Sequence, residues 1–140
     1  MPVLFRITLP AQLEFLQEFI AVVSSCAKKQ GFSPKKVQEI ELATEEALVN
    51  VFKYSYPEGA GDVEVVCTLE GNTLMVDIID SGIPFDVTSV PDPDINADVS
   101  DRKIGGLGIF FIRKLMDDVR YQRENDRNVL RLVIVPERPC

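Results

Sequence analysis

The segment SPKKVQEIELATEEALVNVFKYSY, residues 33–56, decides how this chain folds. It reads as one helix. Ser33 is a good N-cap, and Pro34 suits the first helical position, where a missing N–H leaves nothing unsatisfied. Val37, Ile40, Thr44, Ala47, Leu48 and Val51 recur at helical spacing and form one apolar stripe. Glu39, Ala43, Glu46 and Asn50 line one edge of that stripe. Glu46 and Asn50 are one turn apart, so they project from the same face. A carboxylate and a carboxamide at the margin of a core need partners. A solvated helix edge is the alternative reading, because Glu and Asn are common on helix surfaces.

The chain around this helix has 140 residues, a length that suits one domain with a sizeable core. Hydrophobic residues make up 46% and charged residues 26%, which points to a globular fold and away from disorder or a membrane span. The first residues lack the basic-then-apolar pattern of a signal peptide. The net charge of −7 argues against nucleic acid as the main partner. The three cysteines, Cys26, Cys67 and Cys140, have neither zinc nor CxxC spacing, so a reducing cytoplasm is expected. The absence of histidine removes His-based acid/base chemistry and His metal sites.

Residues 3–9 read as a short strand. Pro10 opens a helix to about Gln30, with Leu13, Leu16, Ile20 and Val23 as its core stripe. A second stripe of Phe15, Phe19, Val22 and Cys26 lies beside it. So broad an apolar surface means either deep burial or a subunit interface. After the central helix, Tyr56-Pro57-Glu58-Gly59 breaks the pattern. Residues 62–70 and 73–80 alternate as two strands around the hairpin signal Gly71-Asn72. Asp80 shares the phase of Leu74, Val76 and Ile78, so its carboxylate points to the covered side of the sheet. A buried Asp needs a donor; the alternative is a turn-forming Asp in Asp80-Ser81-Gly82. Residues 83–103 have no period, and a loop this long suits a lid, placed at residues 87–103. Gly105-Gly106-Leu107-Gly108 then feeds a helix with Ile109, Ile112, Met116 and Val119 at helical spacing. Exposed N–H groups at such a junction suit phosphate. It is not a Walker A loop, which would end in Gly-Lys-Ser/Thr. Residues 119–124 and 129–135 read as a last hairpin around Asn125-Asp126-Arg127-Asn128.

Three boxes in this order resemble the nucleotide-binding domain of the gyrase, Hsp90, histidine kinase and MutL superfamily. The nearest resemblance is to the stand-alone serine/threonine kinases that act as anti-sigma factors. It covers nearly the whole chain. It implies an α/β two-layer sandwich (the Bergerat-type ATP-binding fold), with a mostly antiparallel mixed sheet and helices on one face, as a single domain over residues 1–140. The first box is Glu45-Glu46-Ala47-Leu48-Val49-Asn50-Val51-Phe52-Lys53-Tyr54. The resemblance makes Asn50 the Mg²⁺ ligand and Glu46 the general base, with Lys53 near the nucleotide. A hard cation that keeps several waters suits a single amide oxygen plus phosphates, and a neighbouring carboxylate can accept a hydroxyl proton.

The second box is Asp80-Ser81-Gly82-Ile83-Pro84-Phe85-Asp86. In similar proteins the aspartate accepts from the adenine amino group and the glycine admits the base. The third is Gly105-Gly106-Leu107-Gly108-Ile109, with amides cradling phosphates and Arg102 and Lys103 just before it. Relatives often carry a second glycine where Pro84 stands, a histidine where Tyr54 stands, and a threonine in the neighbourhood of Asn128 or Val129. The implied function is an ATP- and Mg²⁺-dependent protein kinase that phosphorylates a STAS-like anti-sigma-factor antagonist and sequesters a sigma factor. A homodimer in the cytoplasm is implied, with no nucleic acid or membrane partner. The alternatives are a regulatory ATP-binding module that transfers no phosphate, and an interaction domain without nucleotide.

Overall fold

The computed structural model describes residues 3–89 and 106–137. Five strands form one sheet: β1 (Val3–Pro10), β2 (Asp62–Glu70), β3 (Thr73–Asp80), β4 (Asp118–Glu124) and β5 (Arg127–Ile134), in the order β1-β2-β3-β5-β4. Helices α1 (Leu16–Lys29), α2 (Pro34–Tyr54) and α3 (Gly106–Leu115) complete the α/β sandwich. Every described strand pairing is antiparallel, so the parallel component of a mixed sheet is absent among the described residues. For β2–β3 and β4–β5 the reason is local: both are hairpins, which force antiparallel pairing.

The core lies between sheet and helices. Val63, Val65 and Cys67 of β2, Leu74, Val76 and Ile78 of β3, and Leu130, Leu132 and Ile134 of β5 alternate toward it. They meet Leu16, Phe19, Ile20 and Val23 of α1, Val37, Ile40, Leu48 and Val51 of α2, and Ile109 and Ile112 of α3. On the other face of the sheet, Arg131 grips Asp77 with two hydrogen bonds of 2.7 and 2.9 Å.

Three boundaries differ from the sequence reading. Pro10 does not open a helix: it ends edge strand β1 opposite Asp62, where its missing N–H is tolerated. The chain then makes a short 3₁₀ turn, Leu13–Phe15, before α1 begins, which leaves Leu13 67% exposed and out of the core stripe. Most of the broad apolar surface of α1 is spent on its own core: Leu16, Phe19, Ile20, Val23, Cys26 and Ala27 are buried within the chain. Val119 belongs to β4, beyond the end of α3. The last turn is only two residues long, because Asn125 and Asp126 both adopt positive φ, +52° and +62°. That conformation matches the right-handed twist of a two-residue hairpin, so Arg127 and Asn128 join β5 and leave the turn.

Helix α2 is fixed at its start. The Ser33 hydroxyl accepts from the Lys36 N–H at 3.1 Å, as expected of an N-cap. Glu137, from beyond β5, then accepts from both the Ser33 backbone N–H (2.7 Å) and the Ser33 hydroxyl (2.8 Å). The Lys36 ammonium donates to the Leu115 carbonyl at the end of α3, 3.1 Å away. These bonds hold the Glu137 carboxyl below its usual range, chiefly through the Ser33 N–H and hydroxyl. A lowered native value means the carboxylate supports the fold at neutral pH. That support is full above the unfolded value of about 4.3 and fades as pH falls through the native one. Thermal melting of Glu137→Gln against wild type should therefore show a lower Tm at pH 7 and a vanishing difference at strongly acid pH.

Candidate functional site

The C-terminal half of α2 and the C-terminal end of β3 build the site together. Asn50 is 2% exposed. Its Nδ2 donates to the Glu46 carbonyl at 2.7 Å, one turn back. This bond fixes the amide, and no hydrogen bond reaches Oδ1 among the described residues. The Glu46 side chain is half-buried on the same edge of the helix. Burial, followed by the charge of Glu45, pushes its carboxyl above the usual range. A carboxylate with a raised pKa is a better proton acceptor than a free surface glutamate. The described residues hold no cluster of three or more acidic, Cys or His groups able to bind a metal. A cation at Asn50 Oδ1 must then take most of its oxygens from outside this part of the chain. That demand suits Mg²⁺, which keeps waters and phosphate oxygens as ligands.

Asp80 is 2% exposed at the end of β3, on the covered face, as its strand phase predicts. Oδ1 accepts from the Gly82 N–H at 2.9 Å and from Asn128 Nδ2 at 2.8 Å. Among the described residues, Oδ2 accepts only from the Ser55 hydroxyl, at 3.2 Å. An ionised carboxylate has about four acceptor positions, so Oδ2 keeps capacity for a ligand donor. Gly82 is obligatory for a reason internal to the chain: a Cβ there would lie 2.1 Å from the Ser55 carbonyl oxygen. The Ile83 N–H donates to that same carbonyl at 2.9 Å, so the turn is laced to the end of α2. Arg123 adds a bond from its guanidinium to the Gly82 carbonyl at 2.9 Å.

Tyr56 completes the clamp. Its hydroxyl donates to the Asp62 carbonyl at 2.7 Å and accepts from the Ser81 N–H at 2.8 Å. A cavity of about 450 Å³ opens beside this turn, between Tyr56, Ser81 to Pro84 and Arg123. Neither Asn50 nor Glu46 lines it, so it is a separate surface from the helix face.

The expected site residues are distributed as follows. Asp80 and Gly82 meet the C-terminal end of α2 at Ser55, while Glu46 and Asn50 lie further back on the same helix, bonded to each other through the Glu46 carbonyl and not, among the described residues, to Asp80 or Gly82. Lys53 is exposed, with its ammonium 5.1 Å from the centre of the Tyr54 ring. Tyr54 in turn packs on Phe85, with ring centres 4.9 Å apart. Gly106, Leu107 and Gly108 form the first turn of α3. Arg102, Lys103 and Gly105 fall outside the described residues, as does all of the expected lid beyond Ser89. The start of that segment is not loose. Val87 is buried, Asp86 accepts from the Thr88 N–H at 2.8 Å, and Arg113 of α3 donates to the Thr88 carbonyl. Ser55, Tyr56 and Arg123 carry no chemical motif in the sequence. Their signal is geometric, a donor or acceptor delivered from a distant segment.

Comparison with known proteins identifies the family and the fold. The profile of the histidine kinase-like ATPase domain matches residues 9–134. The chain therefore belongs to that family of ATP-using domains. Among named relatives, it is 28% identical over 126 residues to the serine-protein kinase RsbW of Bacillus cereus (strain G9842), covering 87% of this chain and 79% of that protein. RsbW of Bacillus anthracis (strain CDC 684 / NRRL 3495) is 27% identical over the same share. The fold matches a crystal structure of the RsbU and RsbW domains of Rv1364c from Mycobacterium tuberculosis with a TM-score of 0.66 and 17% identity. That match covers 100% of this chain and 34% of the other, so this chain spans about a third of it. It also matches the SiaB–SiaC complex structure from Pseudomonas aeruginosa, with a TM-score of 0.64, 15% identity, and 94% and 91% coverage of the two chains.

Burial raises the Asp80 carboxyl above its ordinary range, against the opposing donors Asn128, Gly82 and Ser55 and the charge of Arg123. A raised native value for an acid means that ionisation weakens the fold. The stability is full below the unfolded value of about 3.9 and lost as pH rises through the native value. Asp80→Asn keeps an oxygen for Gly82 and Asn128 and removes the charge. Urea unfolding at pH 7 should find Asp80→Asn at least as stable as wild type, with that advantage absent near pH 3.

Proposed function

We propose that the chain is an ATP- and Mg²⁺-dependent protein serine/threonine kinase that phosphorylates a small STAS-like antagonist of an anti-sigma factor and controls a sigma factor by sequestering it. The observation that carries this reading is the pairing of Glu46 and Asn50. Asn50 is buried, with its nitrogen held by the Glu46 carbonyl, while the half-buried Glu46 carboxylate has a raised proton affinity. A module that only bound nucleotide has no use for such a base. Membership of the ATPase family and the RsbW relatives support the same reading.

Each residue then has a task. Asp80 Oδ2 accepts a hydrogen bond from the adenine amino group, and the turn at Gly82 lies against the base. Asn50 Oδ1 holds Mg²⁺, which when bound neutralises phosphate charge. Glu46 takes the proton of the incoming serine or threonine hydroxyl. The amides of residues 105–108, with Arg102, Lys103 and Lys53, receive the phosphates. Residues 1–140 act as one cytoplasmic kinase domain; among the described residues no helix is long and apolar enough to cross a membrane.

A homodimer belongs to the same proposal. Its support has moved from α1 to β1, an edge strand that exposes Val3 by 49% and Phe5 by 48%. Such an edge invites pairing with another chain. Sedimentation at about tens of micromolar, a range suited to weak dimers, should give a dimer with ATP present; a monomer throughout counts against it.

Labelled-ATP transfer to a verified antagonist, run beside calorimetry, tests the kinase. Glu46→Gln should keep most ATP affinity and lose about 10²–10⁴-fold in the transfer step, the usual worth of a general base. Asn50→Ala should impair both Mg²⁺-dependent binding and transfer. Wild type that binds ATP tightly and phosphorylates no verified partner favours the regulatory module.

A further inference from the structure

Asn128 is 2% exposed and stands opposite Asp80 across the β3–β5 pairing. Its Nδ2 donates to Asp80 Oδ1 and to the Ile83 carbonyl, both at 2.8 Å. Its Oδ1 accepts from the Phe85 N–H at 3.3 Å and from the Tyr121 hydroxyl. A primary amide has two N–H donors and two lone pairs, and all four are engaged. The amide orientation is also decided. A backbone N–H can only donate and a backbone carbonyl can only accept, so oxygen must face Phe85 and nitrogen must face Ile83. Asn128 has nothing left to offer a ligand directly.

We propose that Asn128 is a positioning residue that sets base selectivity through Asp80, restricting the site to purines with an amino donor at C6. This rests on the reading of Asp80 as the residue that meets the base. Asn128 and Gly82 together occupy Oδ1, while among the described residues Oδ2 has a single long bond from Ser55. The spare acceptor capacity is therefore concentrated on Oδ2. A 6-amino purine supplies the donor that this oxygen lacks. A 6-oxo purine sets oxygen against oxygen and leaves both without a partner, which is how a polar site rejects a near-isostere. Without the Asn128 amide, Asp80 loses one of its two anchors on Oδ1. Its carboxylate can then rotate, and the distinction between the two bases fades. The same amide holds Ile83 and Phe85, so it keeps the turn in register with the carboxylate it orients.

The test compares ATP with inosine triphosphate, whose base carries oxygen at C6, by calorimetry on the full chain, with melting curves as a check on folding. Wild type should prefer ATP. Asn128→Leu should lose about tenfold or more of its ATP affinity, the scale of one charged hydrogen bond, with the inosine nucleotide changed by less than about twofold. Asn128→Thr keeps one donor for Asp80 and should fall between the two in ATP preference. A purely structural role would weaken both nucleotides alike, so an unchanged preference in Asn128→Leu overturns the proposal. Should that variant fail to fold, a wild-type preference in Asn128→Thr overturns it equally. Wild type that binds both nucleotides alike removes Asp80 as the base-reading group. Wild type that binds neither overturns the ATP-site reading itself.

Discussion

A carboxylate buried at the end of a central strand is the constraint on which this structure turns. Leaving an ionised Asp80 without partners in the core is worth several kcal/mol of destabilisation, by order of magnitude. The chain meets that demand with donors from three places: the end of α2, the turn that follows β3, and the first turn-proximal residues of β5. None of the three is near another in sequence except the turn itself. Bringing them to one carboxylate fixes how the helix layer meets the sheet. Even so, Asp80 keeps a raised pKa, so the satisfaction is incomplete. A group held at some cost to stability is characteristic of a functional position.

Helix α2 acts as the beam that carries this arrangement. Its 21 residues span about 30 Å at about 1.5 Å per residue. One end is tied by Ser33, Glu137 and the Lys36–Leu115 bond, the other by Ser55 and the Gly82 turn. Between them, Ile40, Ala43, Thr44, Ala47 and Leu48 are completely buried, so the helix cannot roll without opening the core. Glu46 and Asn50 therefore hold their direction with respect to Asp80. Truncating a buried leucine such as Leu48 typically costs about 2–5 kcal/mol, and the site would loosen with it. Rigidity of this kind fixes the directions of the two side chains before any ligand arrives.

The neighbouring segment, Phe85 to Ser89, is firmly anchored. Val87 inserts into the core, Asp86 caps a second 3₁₀ turn, Val87–Ser89, and Arg113 holds it from α3. Tyr54 and Phe85 pack with their rings tilted by 34° beside this anchor and join the last turn of α2 to the segment before Val87. Helix α3 is thus linked to Thr88 by Arg113, and the end of α2 to Phe85 by Tyr54.

Much of this was legible in the sequence. The helical period of residues 37–51, the cap at Ser33, the hairpin at Gly71-Asn72 and the phase that put Asp80 on the covered face all survive in the structure. These features depend on neighbours within a turn or a strand, where one chain segment carries its own information. What the sequence could not supply was the identity of the partners. The Asn125 to Asn128 stretch reads as a four-residue turn. Two residues at positive φ shorten it, and Asn128 becomes a strand residue facing Asp80. Pro10 reads as a helix start, yet pairing with β2 keeps it in a strand. Ser55, Tyr56 and Arg123 look like ordinary polar residues until the fold sets them against Asp80, Ser81 and Gly82. The sequence by itself determined which residues would be polar on a buried face. Only the tertiary structure decided who satisfies them, because hydrogen bonds between segments 25 and 48 residues apart are fixed by packing and register and leave no local pattern.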